Sequence, residues 1–175
     1  ESRDMLFTAY CYPGPAAVRY PRGTGPGRFE RSEMTTLPIG VAQTVRQGRR
    51  IAILAFGTML SPSLEVGDNL DTTVVNMRFI KPLDRELILA LAKSHELLVT
   101  VEENVVMGGA GSAVNEFLND AGCSIPTLNL GLPDQHIEQG STGQMLAACG
   151  LDANGIQHAI QRRCPAELAA TPSTA

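Results

Sequence analysis

Residues 51–76, IAILAFGTMLSPSLEVGDNLDTTVVN, decide the fold. The apolar run at 51–56 is short and typical of a buried strand, and the β-branched run at 73–76 predicts a second strand. Between them, Ser61 and Pro62 predict the start of a helix, with the serine hydroxyl as N-cap and the proline in the first turn. Strand, helix and strand in this order are typical of a parallel sheet.

The same alternation continues on both sides of this stretch. Further apolar runs predict strands at 41–45, 97–101 and 125–130. Further helices are predicted behind capping residues, namely Asp84, Ser112, Ser141 and Asp152. The sequence therefore predicts an α/β fold over residues 38–164, with a mostly parallel five-stranded sheet and helices on both faces.

The first 37 residues have a different pattern. Residues 1–12 read as the end of a helix, and 16–20 predict a short strand that stops at Pro21. Residues 21–37 are rich in glycine, proline and arginine, which is typical of a linker. The chain begins without an initiator methionine, so we expect 1–37 to be the end of a second α/β domain plus a linker.

Composition excludes several classes of function. The formal net charge is −4, so the chain has no broad basic field for nucleic acid. The run at 51–56 is far shorter than the roughly 20 residues of a membrane span. The small-residue tail at 165–175 is expected to be disordered. The cysteines form no CxxC pair, so we predict no metal site and expect free thiols in the cytoplasm: Cys11, Cys123, Cys149 and Cys164.

Two glycine motifs resemble ligand sites. The turn Gly108-Gly109-Ala110-Gly111 precedes a helix, as in dinucleotide-binding folds, but Val114 stands where the third glycine is needed. We interpret it as a structural turn that lets helix and sheet approach closely, with an anion or partner contact as the alternative. Gly67-Asp68-Asn69 resembles the start of a Gly-Asp-Gly metal motif, but we interpret it as the last turn of a helix.

Charged side chains near strand ends are the remaining candidates. Glu102 and Glu103 are typical either of acid–base chemistry or of contact with a neighbouring domain, and we favour the contact. His95 is expected to complement a helix C-terminus, and His136 to lie in an interface loop.

Arg19 and Arg22 bracket Tyr20-Pro21 at a predicted strand end. The carboxyl ends of strands are where open α/β sheets bind ligands, and a guanidinium group is suited to phosphate oxygens. Phosphate binding and ordinary surface pairing both fit these residues, and Arg22, beyond the proline, is freer to face a cleft.

Five strings in order carry a family resemblance. They are AVRYPRG at 17–23, LPIG at 37–40, MRFIKPLD at 77–84, VEEN through GGAGS at 101–112, and LGLPD at 130–134. Together they resemble the C-terminal part of the bacterial 1-deoxy-D-xylulose-5-phosphate synthase family, over residues 2–164. Single strings are shared more loosely with transketolases and with the β subunits of 2-oxoacid dehydrogenases.

The resemblance implies a cytoplasmic homodimer that uses thiamine diphosphate and Mg²⁺. Such an enzyme condenses pyruvate with D-glyceraldehyde 3-phosphate to 1-deoxy-D-xylulose 5-phosphate and CO2, a step that feeds isoprenoid and thiamine biosynthesis. Residues 1–37 would end the pyrimidine-binding domain, and 38–164 would form the transketolase-like C-terminal domain.

The family's catalytic, cofactor and metal residues lie before Glu1, so none is expected in this chain. The resemblance assigns the acceptor phosphate to Arg22, with Arg19 as second choice. Its partners would be a second subunit and the upstream domains, and the chain alone would be inactive. The alternatives are a non-catalytic α/β interaction or regulatory module, or the equivalent part of a transketolase or of a 2-oxoacid dehydrogenase β subunit.

Overall fold

The computed structural model describes residues 1–21 and 33–164 of the chain. Its helices and strands are α1 Ser2–Cys11, β1 Gln43–Arg46, β2 Ile51–Ala55, α2 Leu60–Leu70, β3 Thr73–Asn76, α3 Arg85–Ser94, β4 Leu97–Val105, α4 Ala110–Asp120, β5 Thr127–Leu132, α5 Thr142–Ala148 and α6 Ala153–Arg163. A short 3-10 turn, Gly57–Met59, precedes α2.

The strands form one sheet in the order β1-β3-β2-β4-β5. Only β1 is antiparallel to its neighbour, and its register with β3 shifts between Thr44 and Arg46. Strands β3, β2, β4 and β5 are parallel, with Ile53 of β2 beside Val74 on one side and Val99 on the other. The predicted five-stranded, mostly parallel sheet is confirmed.

Helices cover both faces of the sheet, as predicted. Ile53 of β2 faces one apolar layer, which it shares with Val66 of α2 and Ile156 of α6. Leu54, the next residue, faces the opposite layer, which it shares with Ile88 of α3. Successive residues of a strand point to opposite faces, so a strand buried on both faces must be apolar throughout, as β2 is.

Three of the predicted helix caps are confirmed. The Asp84 side chain accepts a hydrogen bond from Leu87 N at 3.0 Å, and its other oxygen accepts from Ala42 N at 2.9 Å. Ser141 forms a capping box, and Asp152 caps α6. Asp84 does more than cap a helix, because its second bond ties α3 to the chain entering β1.

Two caps were predicted at the wrong residue. Helix α2 begins at Leu60, directly after the 3-10 turn, so Ser61 lies inside the helix. Pro62 is still in the first turn, where its missing N–H costs no hydrogen bond. Helix α4 begins at Ala110 with Gly109 as N-cap, so Ser112 is also inside its helix.

The strand predicted at 16–20 is wrong. Residues 15–21 run without regular structure, and none pairs with a described strand. A short run around Val18 has the composition of a strand, but a strand needs a neighbour to accept its hydrogen bonds. Most of the predicted linker at 21–37 and all of the predicted tail at 165–175 lie outside the described residues.

Helix α1 attaches to the rest of the structure through polar contacts. Asp4 Oδ1 accepts a hydrogen bond from Thr35 N at 3.2 Å, and Thr8 Oγ1 accepts from Leu37 N at 2.8 Å. Asp4 and Thr8 are both buried. These bonds place the chain segment that enters the sheet domain alongside α1.

Candidate functional site

Arg19 is the one phosphate-binding candidate that the structure describes. It is exposed, in the irregular segment that ends at Pro21, and makes no hydrogen bond or ion pair with any described residue. A guanidinium group carries five N–H donors, which suit the oxygens of a phosphate. Arg22 lies outside the described residues, so its position relative to Arg19 stays a prediction.

Glu1, which precedes α1, attaches the start of the chain to the carboxyl edge of the sheet. Its carboxylate accepts hydrogen bonds from Asn76 Nδ2 at 2.8 Å and from Arg78 Nε at 3.0 Å, at the end of β3. Arg78 has a φ of +56°, and it also donates to the Gln43 side chain of β1. The start of the chain thus lies at the edge where open α/β sheets bind ligands.

The glycine turn is occupied by a carboxylate of the chain itself. The Glu102 side chain accepts hydrogen bonds from Ala110 N and Gly111 N, both at 2.8 Å. A Cβ on Gly109 would lie 2.5 Å from both Glu102 oxygens, so only glycine fits there. Because Glu102 already holds the first amides of α4, the structural interpretation of the turn is favoured over an anion site.

The two glutamates have separate roles. Glu102 is 4% exposed, and both of its oxygens accept hydrogen bonds from backbone amides of α4. Glu103 is half-buried and accepts from Thr58 Oγ1, beyond the end of β2. They are therefore not an acid–base pair. Glu102 is buried against its own helix α4, which corrects the prediction of a domain contact for this residue, and a domain contact of Glu103 stays a prediction.

A series of side-chain hydrogen bonds joins α4 to strands β4 and β5. Asn115 Nδ2 donates to Asn129 Oδ1, and Asn129 Nδ2 donates to Thr100 Oγ1, each at 2.7 Å. A Cβ on Gly111 would collide with both Asn129 and Thr100. Sequence reasoning missed these hydrogen bonds, because Thr100 and Asn129 look like ordinary strand residues and are far apart in sequence. Gly111 is the signal that could have revealed it.

His95 ends α3 and satisfies its last turn. Its Nδ1 lies 3.1 Å from Leu91 O, and its Nε2 lies 2.8 Å from Thr73 Oγ1. This is the expected helix C-terminal role, with an added link to β3. His136 and His158 are both exposed. No group of three or more histidine, cysteine or acidic side chains within 1–21 and 33–164 is arranged to hold a metal ion.

Gly67-Asp68-Asn69 lies at the end of α2, as predicted. Asp68 pairs with Arg46 Nε at 2.9 Å, and the helix ends at Asp71 in the left-handed conformation. Arg46 also donates to Thr72 O at 2.7 Å, so the aspartate belongs to a local network around the turn.

Among the described residues, two side chains have a pKa that differs clearly from the usual value. Hydrogen bonds from the Arg50 guanidinium hold the pKa of Glu96 below its usual value of 4.5. Burial raises the pKa of the Cys164 thiol above its usual value of 9.0. Glu96 precedes β4 and Cys164 follows α6, so neither shift lies at the carboxyl edge of the sheet.

None of the helices that the structure describes is long and apolar enough to cross a membrane.

Comparison with known proteins identifies similar sequences along nearly the whole chain. A family model described as the transketolase C-terminal domain matches residues 40–156. The chain is 59% identical over 163 residues to the 1-deoxy-D-xylulose-5-phosphate synthase of Nitrosomonas eutropha, which covers 93% of this chain and 26% of that protein. It is 52% identical over 175 residues to the synthase of Cellvibrio japonicus, covering all of this chain and 28% of that protein.

The chain thus spans about a quarter of the length of the curated relatives it matches. Among solved structures, a split-gene transketolase described as an inactive β4 tetramer aligns with a TM-score of 0.71 and 31% identity. The alignment covers 81% of this chain and 47% of the transketolase chain.

Proposed function

Because the chain belongs to the family of transketolase C-terminal domains, we propose that it is the C-terminal part of a 1-deoxy-D-xylulose-5-phosphate synthase. The complete enzyme would condense pyruvate with D-glyceraldehyde 3-phosphate and release CO2. The observation that carries this proposal is the 52–59% identity to curated synthases over 93–100% of the chain. The 31% identity to a transketolase is lower, which favours the synthase over a transketolase.

Thiamine diphosphate and Mg²⁺ would serve the complete enzyme, and the described residues of this chain do not fit them. A diphosphate group needs free backbone amides at a glycine turn, but Glu102 occupies the amides of Ala110 and Gly111. No described cluster of side chains suits a metal ion. We therefore propose that the cofactor site lies in other parts of the enzyme, and we expect the isolated chain to be inactive.

This chain's own contribution would be to bind the phosphate of the acceptor. We assign that role to Arg22 first and to Arg19 second. The exposed guanidinium of Arg19, which has no hydrogen bond or ion pair among residues 1–21 and 33–164, supports a ligand-facing position for this segment. A guanidinium fork binds phosphate oxygens in a bidentate manner and so orients the acceptor aldehyde.

The test is Arg22→Ala in a complete enzyme made by exchanging this chain's residues into the Nitrosomonas eutropha synthase. Loss of a charged phosphate contact costs about 1.5–3 kcal/mol, which lowers kcat/KM for glyceraldehyde 3-phosphate by about 10- to 150-fold. The KM for pyruvate should not change, since pyruvate carries no phosphate. Arg22→Lys should restore part of the loss.

Arg49→Ala is the matched control, because the Arg49 side chain is 85% exposed and lies in the turn before β2. It should leave both KM values unchanged. Unchanged acceptor kinetics in Arg22→Ala would move the role to Arg19, and unchanged kinetics in both variants would contradict the phosphate assignment.

A homodimer in the cytoplasm is part of this proposal. The alternative is a non-catalytic α/β interaction or regulatory module, and the observation that favours it is that the structural relative is itself described as inactive. The two proposals differ in the chimeric enzyme, which forms 1-deoxy-D-xylulose 5-phosphate only if the first is right. Activity of the chimera with a ketose phosphate donor would indicate a transketolase instead of a synthase, and activity with lipoamide would indicate a 2-oxoacid dehydrogenase.

A further inference from the structure

Asn154 and Gly155 form an Asn-Gly pair in the first turn of α6. None of the other asparagines in the sequence is followed by glycine. An Asn-Gly pair is open to deamidation, because glycine has no Cβ to keep its backbone nitrogen away from the preceding side chain. Asn154 is exposed to solvent, so water can reach its side-chain amide.

The reaction needs water as its co-reactant and no other molecule. The backbone nitrogen of Gly155 gives up its proton and attacks Cγ of Asn154. The new C–N bond closes a succinimide ring, and the side-chain amide leaves as ammonia with that proton. Water then opens the ring at one of its two carbonyl groups. One opening gives aspartate, and the other gives isoaspartate, in which the main chain gains a methylene group.

The Asp152 side chain opposes the first step of this reaction. As the N-cap of α6, its Oδ1 accepts a hydrogen bond from Gly155 N at 2.9 Å. The bond holds the proton that must leave, and the carboxylate repels the negative charge that would form on the nitrogen. The same bond closes the first turn of α6, and helix ends are where local opening is easiest.

Packing explains why a glycine follows Asn154. A Cβ on Gly155 would lie 2.5 Å from backbone atoms of Gly150, in the turn that leads into α6. Leu151 is 1% exposed and Ile156 is 0% exposed, and both belong to the apolar layer that α6 shares with β2. The contact between the two glycines thus holds the start of α6 against the core, and a larger residue at position 155 would break it.

We propose that Asn154 is a site of spontaneous deamidation, and that the Asp152 cap controls its rate. The aspartate product fits the fold, because a negative charge in the first turn of a helix is favourable. The isoaspartate product does not fit, because the added methylene group would displace Gly155 from Gly150 and Ile156 from the core. This proposal concerns the chain itself and is independent of the proposed function.

The test is incubation of the purified 175-residue chain at mildly alkaline pH, followed by peptide mapping with mass spectrometry. Deamidation is measured as the gain in mass when the amide becomes an acid. Isoaspartate is measured by its methylation with protein isoaspartyl methyltransferase. Asn154 should be modified before any other asparagine. Asn119, which is exposed near the end of α4 and followed by Asp120, is the internal control and should stay unmodified over the same period.

Substitutions of the cap test its role. Asp152→Ala should accelerate the modification of Asn154 by about 2- to 30-fold, because loss of an N-cap raises the population of the opened turn by such a factor. Asp152→Ser keeps a capping oxygen without the charge, so its rate should lie between those of Asp152→Ala and the unmodified sequence. Ser141→Ala is the matched control, because it removes the cap of α5 and should leave the rate at Asn154 unchanged.

Three results would overturn the proposal: earlier modification of another asparagine, an unchanged rate in Asp152→Ala, or equal acceleration in Ser141→Ala. If Asp152→Ala does not fold, Asp152→Ser decides, and an unchanged rate at Asn154 in that variant contradicts the role of the cap.

The urea midpoint separates the two products. It should fall on incubation of the original chain and stay constant on incubation of Asn154→Ala, which cannot form the ring. Freshly prepared Asn154→Asp, which is the aspartate product made directly, should keep the midpoint of the original chain or exceed it. A fall in fresh Asn154→Asp would contradict the assignment of the damage to isoaspartate.

Discussion

Replacing Glu102 by glutamine should destabilise the fold far more than the loss of one surface charge. Both carboxylate oxygens accept backbone hydrogen bonds at 2.8 Å, from Ala110 N and Gly111 N, and the side chain is buried. Glutamine has nearly the same shape, but one of its terminal atoms is a donor and would face an amide donor. The variant therefore loses one bond outright and converts the other to a neutral bond.

The magnitude follows from these contacts. A hydrogen bond to a charged group contributes about 1.5–3 kcal/mol, and an unsatisfied buried amide costs about 1–3 kcal/mol. The loss of negative charge at the start of α4 adds about 0.3–1 kcal/mol. Because the lost bond and the orphaned amide describe the same event, we expect a net loss of about 2–4 kcal/mol in the free energy of unfolding.

The assay is equilibrium urea unfolding of the 175-residue chain, monitored by circular dichroism. The variants are compared with one common slope of the free energy of unfolding against urea concentration. Glu103→Gln is the matched control, because glutamine can still accept from Thr58 Oγ1, and its loss should stay below about 1 kcal/mol. Amide hydrogen exchange at Ala110 and Gly111 should speed up in Glu102→Gln alone. Equal losses in the two variants would refute the role assigned to Glu102.

Two other predictions concern packing and pH. Gly111→Ala should lower the free energy of unfolding by about 1–3 kcal/mol, because the added Cβ would collide with Asn129. Gly143→Ala in α5 is the control: a Cβ there meets open space, so this variant should be neutral or more stable by up to about 1 kcal/mol. Equal urea midpoints for the two variants would contradict this prediction. Burial raises the pKa of Cys164 in the folded state, so its contribution to stability is full below the usual 9.0 and is lost as pH rises through the folded value. The free energy of unfolding should fall above pH 9.0, and less steeply in Cys164→Ala; an identical fall would exclude the thiol as its cause.

Local signals were sufficient for much of the fold. Asp84 and Ser141 cap their helices through bonds to residues three positions later, so their role can be read from neighbouring residues. The strand pattern of β2 and β3 likewise depends on residues close in sequence. These predictions succeeded because the hydrogen bonds and the alternation that they rely on are local.

Long-range partners could not be read from the sequence. Nothing near Gly109 indicates that the cap of α4 comes from Glu102 on the preceding strand, so Ser112 was the better local candidate. The prediction of a strand around Val18 was wrong for the same reason, because the strand propensity of these residues does not show whether a neighbouring strand is present. At the candidate site, Arg19 could be found from its position two residues before Pro21, but only the structure shows that it has no partner among residues 1–21 and 33–164.

Strand β1 has a consequence for how the molecule behaves at high concentration. It ends the sheet on one side, is four residues long, and breaks register with β3 between Thr44 and Arg46. An open strand edge invites another chain to extend the sheet, and a short, irregular edge with a charged side chain prevents this. The Arg46 side chain puts a charged group at this irregular edge, where it contacts Asp68 and Thr72, so we expect the edge to resist pairing with a strand of another chain.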